Sequence, residues 1–429
     1  MLTAFARAFR TPDLRKKMLF TLGIITLFRL GSVVPTPGID VQAVDTCVEQ
    51  AGNVGVYGML NLFSGGALLQ LAVFALGIMP YITASIILQL LTVVIPRLEA
   101  LKKEGQAGQA KITQYTRYLT IGLAVLQATT IVSLARSGGL FQNCPEEIIP
   151  DESAVAIAVM VITMTAGTAV IMWLGELITD RGIGNGMSLL IFTQIIAPFP
   201  SALWGIQQTR GWATFTIVSL VGLVVVALVV FVEQSQRRIP VQYAKRMVGR
   251  RMYGGSSTYI PLKINQAGVI PVIFASSLLY LPLLLSQFNE GSAWANWIQR
   301  NFVNGDSLIY MASFFLMIVF FTYFYVSITF NPRDVADNMK KYGGFIPGIR
   351  AGRPTEEYLD YVLTRLTAPG SVYLGLLALV PLVAFVLVDA NQNFPFGGTS
   401  ILIMVGVGLQ TVQQIESQLQ QRNYEGFLR

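Results

Sequence analysis

The sequence predicts an all-α polytopic membrane protein with ten transmembrane helices. Three observations carry this. The chain is 53% hydrophobic and only 12% charged, about half the charged share usual in a soluble domain. Apolar windows of about 20 residues, the length a helix needs to cross a bilayer, recur from one end of the chain to the other. The stretches between windows alternate between basic and acidic or nearly neutral, as loops on opposite faces of a membrane do.

Taken in order, the windows lie near 18–36, 71–95, 114–136, 154–174, 186–204, 213–232, 265–286, 307–329, 371–388 and 398–415. The first, LFTLGIITLF, does not read as a cleaved leader. Arg29 and a Pro-Gly turn come after it, with no small-residue cleavage pattern. Before it stand Arg7, Arg10, Arg15, Lys16 and Lys17. The loop after the second window holds Arg97, Lys102, Lys103, Lys111 and Arg117. The loops that alternate with these carry Asp40, Asp45 and Glu49, then Glu146, Glu147, Asp151 and Glu152. The positive-inside rule therefore puts both termini in the cytoplasm, which an even number of spans allows. Cys47 and Cys144 are too few for a disulfide framework. Both fall on the outer side, where a disulfide is permitted without being implied.

Two basic loops are long and patterned. In RRIPVQYAKRMVGRRMYGGSSTYIPLK, residues 237–263, Ile239, Val241 and Tyr243 alternate, as do residues 259–262, with GGSS between them; this predicts a twisted hairpin. The second loop runs from Asn331 to Gly370. NPRDVADNMKKYGG has Asn at the N-cap, Pro at the first helical position, Asp334 early, Lys340 and Lys341 late and Gly343 just beyond, which predicts a short helix. PTEEYLDYVLTRLT predicts a second, amphipathic through Tyr358, Tyr361, Val362 and Leu366. A solvated charged face and a docking surface both fit these loops, and their length favours docking.

The sequence has no histidine, which removes His-based metal sites, Ser-His-Asp triads and histidine proton relays. No span carries a carboxylate or lysine near its middle, where a proton- or sodium-coupled transporter needs polar groups. Ser64 has no base to activate it as a nucleophile. GIGNG at 182–186 lies between membrane spans rather than between a strand and a helix. It reads as a helix start and close packing rather than a phosphate loop. No catalytic residue, metal or cofactor is expected. The remaining class is conduction or transport driven from outside the chain.

Residues 57–70, YGMLNLFSGGALLQ, are too short and glycine-broken to span, yet too apolar for an exposed loop. A re-entrant segment and an interfacial helix both fit; backbone of the first kind is tolerated at depth only when buried in protein or lining a cavity. In FALGIMPYITASIILQLL, Ile78 and Ile82 share one helical face, with Gly77 and Pro80 marking a kink. Ordinary core packing fits the isoleucines. So does a constriction whose apolar walls exclude water and ions.

NLFSGGALLQLAVFALGIMPYITASIILQLLTVV resembles the plug and second helix of the SecY family of protein-conducting channels. So do KKEGQAGQAKITQYTRY (102–118), WLGELITDRGIGNGMSLLIF (173–192), residues 236–277 and NPRDVADNMKKYGGFIPGIRAG (331–352). The matches run in order from about residue 18 to the C-terminal helix. The resemblance implies two pseudo-symmetric inverted halves of five spans, here 1–205 and 206–429, with long cytoplasmic loops at 233–264 and 331–370. It implies an hourglass pore whose waist is Ile78, Ile82, Met187, Ile191, Ile273 and Ile403, with Met187 where a branched aliphatic is usual. A plug at about 58–68, with Leu60, Asn61, Leu62, Phe63, Ser64, Gly65 and Gly66, closes it. A lateral gate near Thr83, Gln127 and Leu281 releases signal sequences and transmembrane segments into lipid. Arg237, Arg238, Lys245, Arg246, Arg250, Arg251 and Arg350 fall where the family docks the ribosome or the SecA ATPase. SecE and SecG are the implied small partners, and nascent polypeptides the cargo.

Overall fold

The computed structural model describes residues 9, 11–51, 64–136, 148–151, 153–243, 246–248, 251–253, 257–287, 292–298, 301–302, 307–388 and 398–425. Helix α1 runs Pro12–Gly31 and α2 Val41–Ala51. Then come α3 Met79–Val94, α4 Pro96–Lys103, α5 Gln106–Arg136, α6 Ala154–Arg181, α7 Gly186–Ile196 and α8 Phe199–Gln234. Strands β1 Gln236–Tyr243, β2 Arg246–Val248, β3 Arg251–Tyr253 and β4 Ser257–Lys263 are next. After them lie α9 Ile270–Gln287, α10 Ala293–Ile298, α11 Leu308–Thr329, α12 Pro332–Lys341, β5 Gly344–Phe345, α13 Arg353–Val388 and α14 Gly398–Glu425. Among the described residues six helices are long and apolar enough to cross a membrane. The number is seven if α3 and α4, bent by 100° at their junction, form one span. Helices α1, α9 and α14 stand where the first, seventh and tenth spans were expected.

Several expected boundaries move, each for a local reason. The second span was expected from residue 71, but its helix begins at Met79, and residues 65–78 are turns apart from an isolated bridge of Ala72 to Pro35. Gly77, at φ 55°, and Pro80, in the first turn of α3, therefore start that helix rather than kink it. At 16 residues, α3 rises about 24 Å, less than the roughly 30 Å of a bilayer core. The second amphipathic helix and the ninth span are one helix of 36 residues, running through Ala368-Pro369-Gly370. Its buried side presents Leu359, Val362 and Leu363, while Tyr361 is exposed.

Helices α8 and α7 are joined through Ala197 and Pro198. Within α8, Gly211 breaks the run at φ 81°, ψ 176°, close to the expected start of the sixth span. That backbone is open almost only to glycine. Among the first helices, α1 packs on α6 and α7, α3 on α5, and α5 on α6. Among the later ones, α9 packs on α11, α11 on α13, and α8 and α13 on α14. The two sets meet where α7 touches α14 and α3 touches α9.

The hairpin forms as expected, antiparallel with Gln236 opposite Lys263 and Gln242 opposite Ser257. The sequence did not announce its third strand: β5, from the second loop, pairs with the other edge of β1, Gln242 opposite Phe345. The alternation seen in the sequence becomes a core, with Ile239, Val241 and Leu262 packed with Met339, Ile346, Leu359 and Val362. Helix α12 is capped as expected, Asn331 Oδ1 accepting from Arg333 N at 3.2 Å.

Candidate functional site

The site is built where four helices converge. Helix α7 starts at the GIGNG stretch: Asn185 Oδ1 accepts from Met187 N and Ser188 N, and Thr179 Oγ1 of α6 accepts from Gly186 N at 2.9 Å. A Cβ on Gly186 would strike the Gly175 carbonyl of α6, so the two helices lie backbone to backbone. Small residues allow this close approach between membrane helices. From that start, Met187 and Ile191 fall four residues apart on one face. On α3, Ile82 N donates to Ile78 O at 3.1 Å, which keeps the same spacing although Ile78 is only the cap residue.

The structure gathers all six expected waist residues into one apolar cluster. Ile78, Ile191, Ile273 and Ile403 are buried in it, with Met187 and Ile82 packed against it. Five of the six, all but Ile78, also line a cavity of about 460 Å³. Polar groups furnish its wall: Tyr81, Ser85, Gln89, Thr113, Asn185 and Ser188, with Asp180 beside them. Arg117 of α5 donates two 2.8 Å hydrogen bonds to Glu176 of α6 on that wall. Half-exposed pairs of this kind contribute about 1 kcal/mol or less. The cavity thus carries polar groups on part of its wall over an aliphatic floor.

The SecY family profile matches residues 72–412, about four-fifths of the chain. The chain belongs to the SecY family. A relative described as protein translocase subunit SecY, from Streptomyces scabiei, is 70% identical over the whole of both chains. Among solved structures, a protein-conducting channel superposes with a TM-score of 0.63 at 19% identity, over 94% of this chain and 91% of that one. A SecY whose plug domain is described as stabilising the closed channel and maintaining a membrane seal gives 0.61 at 20% identity, with the same coverage.

Of the plug positions expected for a SecY-family chain, Leu60, Asn61, Leu62 and Phe63 lie outside the described residues. Ser64, Gly65 and Gly66 are described. Ser64 is buried and its Oγ accepts from Leu68 N at 2.9 Å; Gly65 and Gly66 sit at φ 68° and 92°. Behind them Leu68, Leu69 and Leu71 pack with Val44 and Cys47 of α2 and with residues of α5 and α6. The described part of this segment is non-helical backbone enclosed by protein, the condition under which such backbone survives at membrane depth. The chain after α1 holds its base: Thr36 N and Oγ1 both donate to Leu71 O, and Val73 N donates to Val34 O. Phe74 stacks on Phe28, ring centroids 5.8 Å apart.

Arg29, near the end of the first window, is long enough to snorkel to a membrane interface, but its Nη1 instead donates to Gly65 O at 2.8 Å. No periodicity could announce a contact to a turn carbonyl so far along the chain. Gln194 was missed as well, although it stands three residues beyond Ile191, on the face that Met187 and Ile191 share.

At the expected lateral seam, Thr83 and Gln127 are buried. The Thr83 hydroxyl donates to Met79 O of its own helix and so makes that bond within α3. Leu281 lies on the backbone of α9, and its side chain is outside the described set. Arg237, Arg238 and Arg350 are exposed, Arg238 lying 4.8 Å over the Tyr259 ring. Arg246 and Arg251 lie on β2 and β3 by backbone alone; Lys245 and Arg250 fall outside the described residues. Cys47 is buried and disulfide-bonded, and Cys144 is not among the described residues.

Proposed function

We infer that this chain is the central protein-conducting channel of a Sec translocase in the cytoplasmic membrane. It passes unfolded secretory proteins across and releases transmembrane segments sideways. One observation carries the reading: six aliphatic side chains from four distant stretches of sequence share one cluster beneath a polar-walled cavity. An apolar collar of this kind excludes water and ions at rest. It closes around an extended chain by packing alone, without reading its sequence, and Met187 is the most adaptable member. A saturable solute site would need polar groups converging at that depth, where the cluster is aliphatic.

Residues 1–205 and 206–429 act as two inverted halves. The covalent link through 197–211, with its break at Gly211, serves as hinge, and the α3/α9 contact is the lateral gate, near Thr83, Gln127 and Leu281. The segment at about 58–68 is the plug. Signal sequences and transmembrane segments leave through the gate because burial in lipid stabilises them by about 25 cal/mol per Å². Both termini and the basic loops face the cytoplasm. SecE and SecG complete the complex; the chain is no enzyme, and the SecA ATPase or a translating ribosome supplies the work. The basic hairpin suits ribosomal RNA through phosphate contacts, so ribosome affinity falls steeply with salt.

The test is Arg350→Glu in the assembled complex, read by transport into membrane vesicles. SecA-driven transport is abolished while the yield of complex is unchanged. Wild-type transport rates in that variant would overturn the assignment of this loop to the motor.

A further inference from the structure

Gln194 is 1% exposed, and neither its Nε2 nor its Oε1 has a hydrogen-bond partner among the described residues. Its surroundings explain why. Ile191 and Ile195, on its own helix, belong to the waist cluster, and the residues opposite it come from the turn segment. A Cβ built on Gly77 would stand 2.6 Å from Gln194 Nε2, and one on Gly65 would stand 3.1 Å from Gln194 O. Gly77 and Gly65 both hold positive φ, at 55° and 68°. Gly77 thus closes over the carboxamide and Gly65 over the Gln194 main chain, and among the described residues the segment gives the amide no hydrogen bond.

A buried amide without a partner penalises the state that buries it. Replacing such a group by an apolar one of the same shape removes the penalty. Position matters as much as burial. Met187, Ile191 and Gln194 succeed one another along a single helical stripe, so Gln194 is the polar group next to the collar on the segment's side. Once the segment leaves, solvent, or an extended chain with an N–H and a C=O at every residue, can satisfy the amide.

We propose that Gln194 sets the ease of channel opening by destabilising the seated position of residues 64–78. It makes the seal releasable where an apolar residue would make it tight. This rests on the reading of the segment as a seal, and the experiment separates the two. Resting single-channel conductance of the assembled complex is measured in planar bilayers for the parent, Gln194→Leu, Gln194→Met and Gly77→Ala. Thermal midpoints are measured in parallel.

Gln194→Leu and Gln194→Met both lower the frequency of resting openings, by about tenfold given the usual size of an unsatisfied amide's penalty. Their thermal midpoints equal or exceed the parent's. Gly77→Ala, which crowds the carboxamide, raises the opening frequency. If Gly77→Ala raises conductance while both Gln194 variants leave it flat or raise it, the role of Gln194 is overturned and the seal stands. If Gly77→Ala also changes nothing, the seal reading itself falls. Lower midpoints in both Gln194 variants overturn the proposal too, because the amide would then be a structural asset.

Discussion

A single guanidinium ties α1 to the segment that lies against the waist. Arg29 reaches Gly65 O at 2.8 Å, and Phe28, its neighbour, stacks on Phe74 at the far end of the same turns. Hydrogen bonds to charged groups contribute about 1.5–3 kcal/mol. Arg29→Leu should therefore raise resting ion leak roughly tenfold or more, seen as more frequent openings in planar bilayers, with transport of a strongly hydrophobic signal sequence retained. At this scale helical spacing made residues legible in the sequence. Ile78 and Ile82 stand four apart, and the family resemblance added Met187, Ile191, Ile273 and Ile403. Spacing could not announce Arg29, whose partner is a backbone carbonyl in a turn, nor Gln194, whose meaning lies in the hydrogen bonds it lacks.

At the scale of elements, hydropathy located the spans but misjudged where helix begins. Apolar content does not separate a helix from buried turns, so residues 71–78 counted as helix when they are not. The second amphipathic helix and the ninth span were expected as separate elements, and α13 runs through Ala368-Pro369-Gly370 between them. Proline removes one backbone donor and strains the preceding turn, and the helix continues on both sides regardless. Caps were legible because their chemistry is local, as Asn331 and Asn185 show. Two predictions belong here. Gly186→Ala forces α7 away from the Gly175 carbonyl; overpacking of this kind costs about 1–3 kcal/mol, measurable as a lower denaturation midpoint of the purified complex. Gly211→Val places a β-branched residue at φ 81°, ψ 176°; the strain costs about 1–3 kcal/mol, with the loss read by the same assay.

For the molecule as a whole, the decisive asymmetry is that the two sets of helices are joined covalently on one side only. The link runs through residues 197–211 beside the α7/α14 contact, while α3 and α9 meet without a connection. A short chemical cross-link between α3 and α9 should therefore arrest transport, and one between α7 and α14 should be tolerated. Vesicle transport before and after reductive cleavage of the linker checks both, and arrest by the second link alone would reverse the assignment of hinge and gate. The β1–β5 pairing adds a mechanical consequence. Since Gln242 and Tyr243 are stitched to Phe345 and Gly344 and the hairpin shares one apolar cluster with the second loop, the described parts of the two basic loops are joined in one unit. A pull on either loop would therefore bear on α8, α9, α11 and α13 together, as on one lever.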